Sequence, residues 1–429
     1  MKFERFLSAV SKARKPSPIR MATALMLRSP LSTISLGGGS PNPCTFPFRK
    51  LDVEISNGTN IRIEGKEMDR ALQYSQSDGI PELKDWLKRI QKHFHQPPLM
   101  NDSNENELDL CVTVGSQDGL TKVFEMLLSP GDNMLLDDPN YPGSLAFLQP
   151  LPINLLPVDT DEFGMKSSSL REALSAWKPS DALNPNSDIP KVLYTIPNCG
   201  NPTGASASTG RKLEIYKIAQ EYDLIIVEDD PYYFLQFNET VAPSYQQLDT
   251  DGRVIRSDSM SKVLSSGMRL GWISGAKPFI DRLVLHQQAT LLHNSTLIQM
   301  LVWKLLEKWK LEGFEKHLKE TKTFYESQKN VMIESANKWL TGLAEWNVPQ
   351  GGMFLWIKLL GIDDTTELIQ KRAMEKEIIL IPGSAFSVKE NVKSSYCRAS
   401  FSLSSPENID EGIRRLAELV REELDRKHK

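Results

Sequence analysis

Lys262 is a candidate for covalent chemistry, although taken alone an ordinary surface lysine is the simpler interpretation. Lys262 follows a short predicted strand that begins at residues 254–255. A lysine in a partly dry crevice has a lowered pKa and can form a Schiff base with an aldehyde. Arg269 follows seven residues later, and serines surround both cations: Ser257, Ser259, Ser261, Ser265 and Ser266. A cation with several hydroxyls suits a phosphate monoester, although a solvated serine-rich loop would have the same composition.

A carboxylate and a phenol follow another predicted strand. Asp229 comes just after the apolar residues 224–227, which places it at the C-terminal edge of a sheet, where open α/β folds bind ligands. Asp230 is the alternative carboxylate at this edge. Tyr232 is three residues beyond Asp229, so both side chains can reach one small aromatic ligand. Taken alone, a capping aspartate beside a core tyrosine explains this pair equally simply.

The other candidate site groups are the amide of Asn201 and the N-terminus of a helix that could bind an anion. Asn201 opens an Asn-Pro-Thr-Gly turn after the predicted strand of residues 191–196, and a rigid X-Pro turn can aim its amide at the same edge. Residues 115–117 (Gly-Ser-Gln) close a strand and open a helix, whose free N–H groups and positive dipole end favour an anion. An ordinary N-cap at Ser116 is the alternative. Together these residues match the needs of a phosphorylated pyridine aldehyde.

Other reaction classes lack their motifs. The chain has no dinucleotide fingerprint, no Walker A loop, no H-E-x-x-H and no G-x-S-x-G. His93 and His95 form the one close histidine pair, so no metal site is expected. Ser259 and Lys262 match S-x-x-K, but the companion K-T-G is missing and chance explains the match. The four cysteines form no C-x-x-C pair, which favours a reducing compartment: Cys44, Cys111, Cys199 and Cys397.

Size and composition indicate a globular protein of two lobes. A chain of 429 residues is too long for one core, and 40% apolar with 25% charged residues is ordinary for a folded protein. The net charge of -4 does not favour nucleic acid, and no apolar run is long enough to cross a bilayer. Alternating strands and helices predict a mostly parallel sheet covered on both faces, followed by an α+β lobe.

The C-terminal third has its own predicted elements. Residues 314–332 read as one long helix, and a final helix is expected with Ser405 as its N-cap. Between them lie a predicted helix over 366–376 and three predicted strands, over 353–358, 378–381 and 398–401.

The first thirty residues are basic, with seven lysines and arginines against one acid. Phe3, Phe6, Leu7 and Val10 follow helical spacing. Two interpretations fit equally well: a mitochondrial targeting segment, or a helix that packs on the folded body.

The motifs, in this order and spacing, resemble the fold-type I, pyridoxal-phosphate (PLP) aminotransferases of class I/II. The resemblance implies an α/β fold, with a large domain built on a mostly parallel seven-stranded sheet and a smaller α+β domain. It implies an N-terminal arm over 1–30, a PLP-binding domain over 31–310 whose early part joins the small lobe, and a small domain over 311–429. The matching segments are residues 17–20, 72–75, 115–117, 201–204, 229–232, 259–262 with Arg269, 339–346, 352–356 and Arg398.

The resemblance also implies a role for each matching residue. Lys262 would hold the cofactor covalently and then move the proton between the substrate Cα and cofactor C4′. Asp229 would keep the pyridinium nitrogen protonated, and Tyr232 with Asn201 would hold the phenolic oxygen. Tyr141 would stack on the ring. The phosphate would be bound by Ser116, Gln117, Ser259 and Arg269, and by Tyr74 of a neighbouring subunit in a homodimer.

Arg398 would bind the substrate α-carboxylate through paired hydrogen bonds. Arg20 and residues 37–40, with Gly39, would line the side-chain pocket, and Tyr74, Tyr141 and Asn201 would also contact substrate. The implied reaction moves the amino group of 2-aminoadipate or L-kynurenine to 2-oxoglutarate or another 2-oxo acid, in lysine and tryptophan catabolism. A mitochondrial location is implied, with the cytoplasm as the alternative.

Two other functions remain open at this point. The same cofactor supports β-elimination from a sulfur-containing amino acid, as in a cysteine-S-conjugate β-lyase. A ligand-sensing regulator can also keep an aminotransferase body, but about thirty residues precede the first core motif, too few for a DNA-binding domain.

Overall fold

The computed structural model describes residues 1–19, 21, 29–30, 32–34, 36–37, 39–101, 107–238 and 240–427. It divides into two compact units, each built from two stretches of chain. Unit 1 comprises Met1–Ser129 and Gln246–Glu315, and unit 2 comprises Pro130–Tyr245 and Lys316–Lys429. The N-terminal arm and the two domains that the resemblance implies have different boundaries from these units, and they stay a prediction.

The described strands and helices alternate through most of the chain. The strands are β1 (Lys50–Glu54), β2 (Asn60–Glu64), β3 (Leu108–Thr113), β4 (Asn133–Asp138), β5 (Asn154–Asp161), β6 (Gly164–Met165), β7 (Val192–Thr195), β8 (Ile225–Asp229), β9 (Val254–Ser259), β10 (Gly271–Ala276), β11 (Ala344–Trp346), β12 (Phe354–Leu359), β13 (Ile381–Pro382) and β14 (Tyr396–Ser400). The helices are α1 (Ala9–Ala13), α2 (Lys66–Ala71), α3 (Pro81–Phe94), α4 (Gly115–Leu127), α5 (Pro142–Leu148), α6 (Ser167–Ala173), α7 (Thr209–Glu221), α8 (Tyr245–Leu248), α9 (Lys277–Thr290), α10 (Thr296–Leu340, with non-helical backbone at Lys310), α11 (Ala373–Glu375) and α12 (Pro406–Lys427).

Unit 1 holds antiparallel strands. β1 and β2 form a hairpin, and β10 pairs antiparallel with both β3 and β9. A mostly parallel prediction leaves room for such antiparallel pairs, and here no crossover helix separates β9 from β10. Parallel neighbours need such a crossover, whereas a short connection returns the chain antiparallel. That short connection carries Lys262 and Arg269.

Unit 2 contains the parallel sheet that the sequence pattern predicts. β8, β7, β4 and β5 are parallel neighbours, and the two-residue β6 is antiparallel to β5. All residues of β7 and β8 are buried, as expected for strands covered on both faces. Thr195 of β7 is opposite Glu228 of β8, so these two strands end at the same edge of the sheet. The polar residues that follow them therefore share that edge.

A second, antiparallel sheet of unit 2 runs in the order β11-β12-β14-β13 and carries Arg398 opposite Trp356. The predicted start of the last helix is confirmed, since the Ser405 hydroxyl accepts a hydrogen bond from Asn408 N at 3.3 Å.

Of two further element predictions in this part of unit 2, one is confirmed and one is wrong. Residues 366–375 are helical throughout, with a π-helical turn over Leu368–Arg372 that leads into α11. Residues 378–380 are not a strand, since β13 begins at Ile381. Glu377 adopts a left-handed φ of 54°, and Ile378 N donates a hydrogen bond to Ala373 O at 3.0 Å. These residues therefore form the C-terminal cap of the preceding helix.

The basic N-terminal segment packs on unit 1. The Phe3 and Phe6 rings contact Phe279 edge-on, with ring centroids 5.1 and 6.3 Å apart. Arg14 Nε donates to His286 Nδ1 at 3.2 Å. Phe6 is fully buried. These contacts favour a segment that is part of the folded body. The prediction of one helix with a continuous apolar stripe is wrong, because a 3-10 turn over Phe3–Phe6 and α1 are separated by extended backbone and Val10 is exposed. No helix among the described residues has the length and apolar character that a membrane span requires.

Phe6→Ala should lower the free energy of unfolding by about 3 kcal/mol, because it removes a buried aromatic ring and leaves a cavity. Urea unfolding measures the change. Val10→Ala is the matched control, since Val10 lies in the same segment and is 57% exposed. Equal stability of the two variants would contradict the packing of this segment.

Candidate active site

Asp229 ends the buried strand β8 and is 3% exposed. Tyr194 of β7 donates its hydroxyl proton to Asp229 Oδ2 at 2.9 Å, and the Ser144 hydroxyl lies 2.8 Å from the same phenolic oxygen. A phenol has one proton, so Ser144 donates to Tyr194. Burial and the neighbouring Asp229 hold the pKa of Tyr194 well above its ordinary value. Tyr194 therefore remains a proton donor that orients the Asp229 carboxylate.

Asp230, the alternative carboxylate, faces a different group. Its Oδ2 accepts a hydrogen bond from Asn198 Nδ2 at 2.7 Å, and its side chain is 2% exposed. The two adjacent aspartates thus differ in their hydrogen-bond partners. Asp229 accepts a hydrogen bond from the Tyr194 phenol of β7, and Asp230 accepts one from the Asn198 amide in the turn after β7.

Asn201 lies in a tight turn just beyond β7. Gly200 N donates to Ala205 O at 2.9 Å, and Gly204 N donates to Gly200 O at 2.7 Å. Gly204 has a φ of +68°, a conformation that glycine adopts without strain. These bonds fix the backbone on both sides of the Asn201 amide.

Arg398 of β14 is bound to this turn. Its Nη1 donates to Asn201 Oδ1 at 2.7 Å, and its guanidinium carbon lies 4.1 Å from the Phe354 ring centroid and 5.1 Å from that of Phe386. Its Nε is buried and has no hydrogen-bond partner among the described residues. A guanidinium held between two rings with an uncommitted N–H is suited to bind a carboxylate in a fixed plane.

Two tyrosines complete this group. Burial lowers the pKa of Arg398, whereas Tyr232 and Tyr141 raise it, so both phenols are close to the guanidinium. Tyr232 is 4% exposed and meets Phe354 edge-on at a centroid distance of 5.9 Å. Burial raises the pKa of Tyr232, Arg398 lowers it and Asp229 raises it. Tyr232 is therefore neutral and able to donate a hydrogen bond.

The Tyr141 ring is held by its own local contacts. Tyr141 N donates to Asn140 Oδ1 at 2.7 Å, and Asn140 N donates to Phe386 O at 2.8 Å. The ring lies over Gly143, where an added Cβ would be 2.5 Å from the Tyr141 hydroxyl oxygen. Any residue larger than glycine at position 143 would displace the ring.

Unit 1 carries the anion-binding features. Helix α4 begins at Gly115, whose φ is +78°, and a Cβ there would be 2.5 Å from Arg269 Nη2. Arg269 also donates to Val114 O at 3.2 Å and to Ser261 Oγ at 3.4 Å. The interpretation of Ser116 as an N-cap is wrong, because Val114 occupies the cap position. Residues 116–117 instead lie in the first turn, half-buried.

Lys262 lies in the turn that follows β9. Ser259 ends the strand, and its hydroxyl accepts a hydrogen bond from Ser261 N at 3.1 Å. Met260 O then accepts from the backbone N–H groups of residues 263–265 at 2.8 to 3.3 Å. This compact turn leaves Lys262 half-buried on unit 1, in the same connection as Arg269.

Two further predicted residues, Tyr74 and Gly39, are exposed on unit 1. Tyr74 is 54% exposed and meets the His293 ring edge-on at 5.8 Å. Gly39 is exposed, with no atom within 4 Å of a Cβ placed there. Arg20 is outside the described residues. Two sets are therefore brought together, one in each unit: Tyr141, Asn201, Asp229, Tyr232 and Arg398 in unit 2, and Ser116, Gln117, Ser259, Lys262 and Arg269 in unit 1.

The donor chemistry of both sets fits PLP. Unit 2 offers a buried carboxylate, which suits a pyridinium nitrogen, and the uncommitted Nε of Arg398, which suits a carboxylate substrate. Unit 1 offers a lysine amine, and for a phosphate it offers the Arg269 guanidinium, serine hydroxyls and the start of α4. No group of three His, Cys, Asp or Glu side chains in the described ranges could hold a metal ion.

The comparisons with known proteins agree with this chemistry. The family model "Aminotransferase class I and II" matches residues 59–416. The chain belongs to the class I and II aminotransferases. As a member of this family it is an enzyme that uses PLP, and the α/β fold class of the sequence analysis is confirmed. It is 51% identical to the Bos taurus protein named "Kynurenine/alpha-aminoadipate aminotransferase, mitochondrial", over 99% of this chain and 100% of that one.

Solved structures support the same fold over the whole length of this aminotransferase. The Candida albicans aminotransferase Aro8 matches with a TM-score of 0.87 at 28% identity, covering 99% of both chains. The Pyrococcus horikoshii kynurenine aminotransferase, solved in complex with PMP, matches with a TM-score of 0.76 at 30% identity, covering 99% of this chain and 98% of that one.

Sequence reasoning missed the residues that support the site. Tyr194 lies in a buried strand, where a tyrosine is indistinguishable from a core residue until its partner is known. Gly143 and Asn140 flank Tyr141 in an Asn-Tyr-Pro-Gly run, a turn signal that indicates a fixed backbone but not what it supports.

Proposed function

We propose that this aminotransferase takes the amino group of 2-aminoadipate, L-kynurenine or a related amino acid and transfers it to 2-oxoglutarate or another 2-oxo acid. The observation that carries an amino-acid substrate is Arg398, whose half-buried guanidinium is bound to Asn201 while its buried Nε has no partner among the described residues. The substrate class is supported by 51% identity across the full chain with a relative named for these two substrates.

The residues of unit 2 prepare the ring and bind the amino acid. PLP, when bound, accepts the electron pair that remains as the substrate Cα loses its proton. Asp229, oriented by Tyr194, keeps a proton on the pyridine nitrogen. Tyr232 and Asn201 donate to the phenolic oxygen, and Arg398 binds the substrate α-carboxylate. Tyr141 stacks on the ring.

The residues of unit 1 offer an amine and anion-binding groups. Lys262 would hold the cofactor through its amine and would move the proton between the substrate Cα and cofactor C4′. Arg269 neutralises the phosphate, with hydrogen bonds from Ser259 and residues 116–117. Gly39 would line the substrate side-chain pocket.

A homodimer is part of this proposal, with Tyr74 bonding the phosphate in the neighbouring subunit. Tyr74 is 54% exposed, which supports its availability to a second chain. Sedimentation velocity should give a species of twice the chain mass, and a monomer that is fully active would contradict this assignment. The mitochondrial location is supported by the names of the Bos taurus and Rattus norvegicus relatives.

A panel of amino donors tests the proposed reaction. The PLP-loaded enzyme is mixed with 2-aminoadipate, L-kynurenine, alanine or a sulfur-containing amino acid, and both the oxo product and free ammonia are quantified with and without 2-oxoglutarate. We expect the first two donors to react faster than alanine, to need the oxo acid for repeated turnover, and to release no ammonia. Ammonia and pyruvate from a sulfur-containing donor without an oxo acid would favour the β-lyase.

A further inference from the structure

A buried lysine lies beneath the cofactor-binding edge of unit 2. Lys212 is on α7 and has no exposed surface. Its Nζ donates to Asn198 Oδ1 and to Pro243 O, both at 2.9 Å. The Asn198 amide, also fully buried, donates in turn to Asp230 Oδ2 at 2.7 Å. The ammonium and the carboxylate are thus joined through one amide.

The position of Lys212 does not stabilise helix α7. Lys212 is the fourth residue of α7, whose N-cap is Ser208, and a cation in the first turn is repelled by the positive end of the helix dipole. Burying an ammonium group is also costly unless it is well bonded. Its hydrogen bonds instead stabilise the turn after β7, through Asn198, and the chain before α8, through Pro243 O. The bond from Asn198 to Asp230 extends this link to the end of β8.

Both segments carry residues of the proposed site. Asn198 lies three residues before Asn201, in the turn that Gly200 closes through its bond to Ala205 O. Asp230 directly follows Asp229, at the point where the chain leaves β8. The Asn198 amide can satisfy both neighbours only in one orientation, with its oxygen toward the ammonium and its nitrogen toward the carboxylate.

We propose that Lys212 is a positioning residue for the cofactor. It fixes the orientation of Asn198, which holds the Asn201 turn and the Asp229 strand end at a set spacing, so that both side chains meet the same ring. Without the ammonium, the Asn198 oxygen loses its donor in a buried site, and the amide is free to rotate away from Asp230. This inference rests on the proposed roles of Asn201 and Asp229.

The test compares Lys212→Met with Lys217→Met, an exposed lysine on the same helix. PLP is removed from the purified proteins, and its dissociation constant is measured by fluorescence titration of each apoenzyme. The visible absorption band of the loaded enzyme and the melting temperature of the apoenzyme are also recorded. We expect Lys212→Met to bind PLP about tenfold to hundredfold more weakly, with a shifted band, because a buried polar partner is left unsatisfied. Lys217→Met should match the wild type.

A merely structural role has a different signature. If Lys212→Met lowers the melting temperature but leaves PLP affinity and the absorption band unchanged, the inference is overturned. If Lys212→Met does not fold, Asn198→Ser takes its place, since serine is too short to bridge the ammonium and Asp230. Unchanged PLP affinity in that variant also overturns it. A wild-type enzyme that does not bind PLP would instead count against the proposed function itself.

Discussion

Replacing Lys262 by alanine should reduce turnover by about ten-thousandfold or more, the upper range for loss of a general acid–base group. Alanine can neither attach to the cofactor nor carry the proton to C4′. The kcat for transfer to 2-oxoglutarate, followed by product formation, measures the effect. Lys308→Ala is the matched control, because Lys308 is an exposed lysine of unit 1; it should retain the wild-type rate.

A second readout separates loss of chemistry from loss of fold. The Lys262→Ala enzyme should keep a wild-type far-UV circular dichroism spectrum, because Lys262 lies in a turn and is only half-buried. A small amine added to the solution should restore part of the rate by accepting the proton. A folded Lys262→Ala enzyme with wild-type turnover would exclude the assigned role.

Replacing Arg398 by alanine should reduce kcat/KM by about a hundredfold or more, because removal of one partner from a buried charged hydrogen-bond pair costs about 2–5 kcal/mol. Part of this loss comes from Asn201 Oδ1, which loses its donor. Steady-state kinetics with 2-aminoadipate, measured with saturating 2-oxoglutarate, give the value.

The Arg398→Lys variant separates the contribution of the positive charge to substrate binding from that of the planar guanidinium. A lysine restores the positive charge but offers no planar pair of N–H groups and no flat face for Phe354. Its kcat/KM should therefore stay well below wild type. Arg171→Ala serves as a control in unit 2, since Arg171 is 53% exposed and pairs with Glu221. An Arg398→Lys enzyme as active as wild type would contradict paired binding of the carboxylate.

The sequence was most informative at the strand ends. The run of apolar residues before Asp229 predicted a buried strand with a carboxylate at its end, and β8 ends at that residue. Asp229 and Asp230 were indistinguishable in sequence because both follow the same strand. Only their partners, Tyr194 and Asn198, separate them, and those contacts join residues far apart in the chain.

Other features depended on contacts that local patterns do not encode. Strand periodicity does not report direction, so the pattern indicates a strand at 271–275 but not its antiparallel pairing. An apolar stripe buries equally well against any partner, and the N-terminal segment could be assigned to the folded body only from the contacts of Phe6 and Arg14. Lys212 carried no signal, because a buried lysine and an exposed one look alike in a helical pattern.

The site of covalent attachment tests the assigned role of Lys262 directly. PLP-loaded enzyme is reduced with borohydride and digested, and the peptides are identified by mass spectrometry. We expect a phosphopyridoxyl group on Lys262 and its absence from the Lys262→Ala enzyme. A phosphopyridoxyl group on another lysine, with Lys262 unmodified, would contradict it.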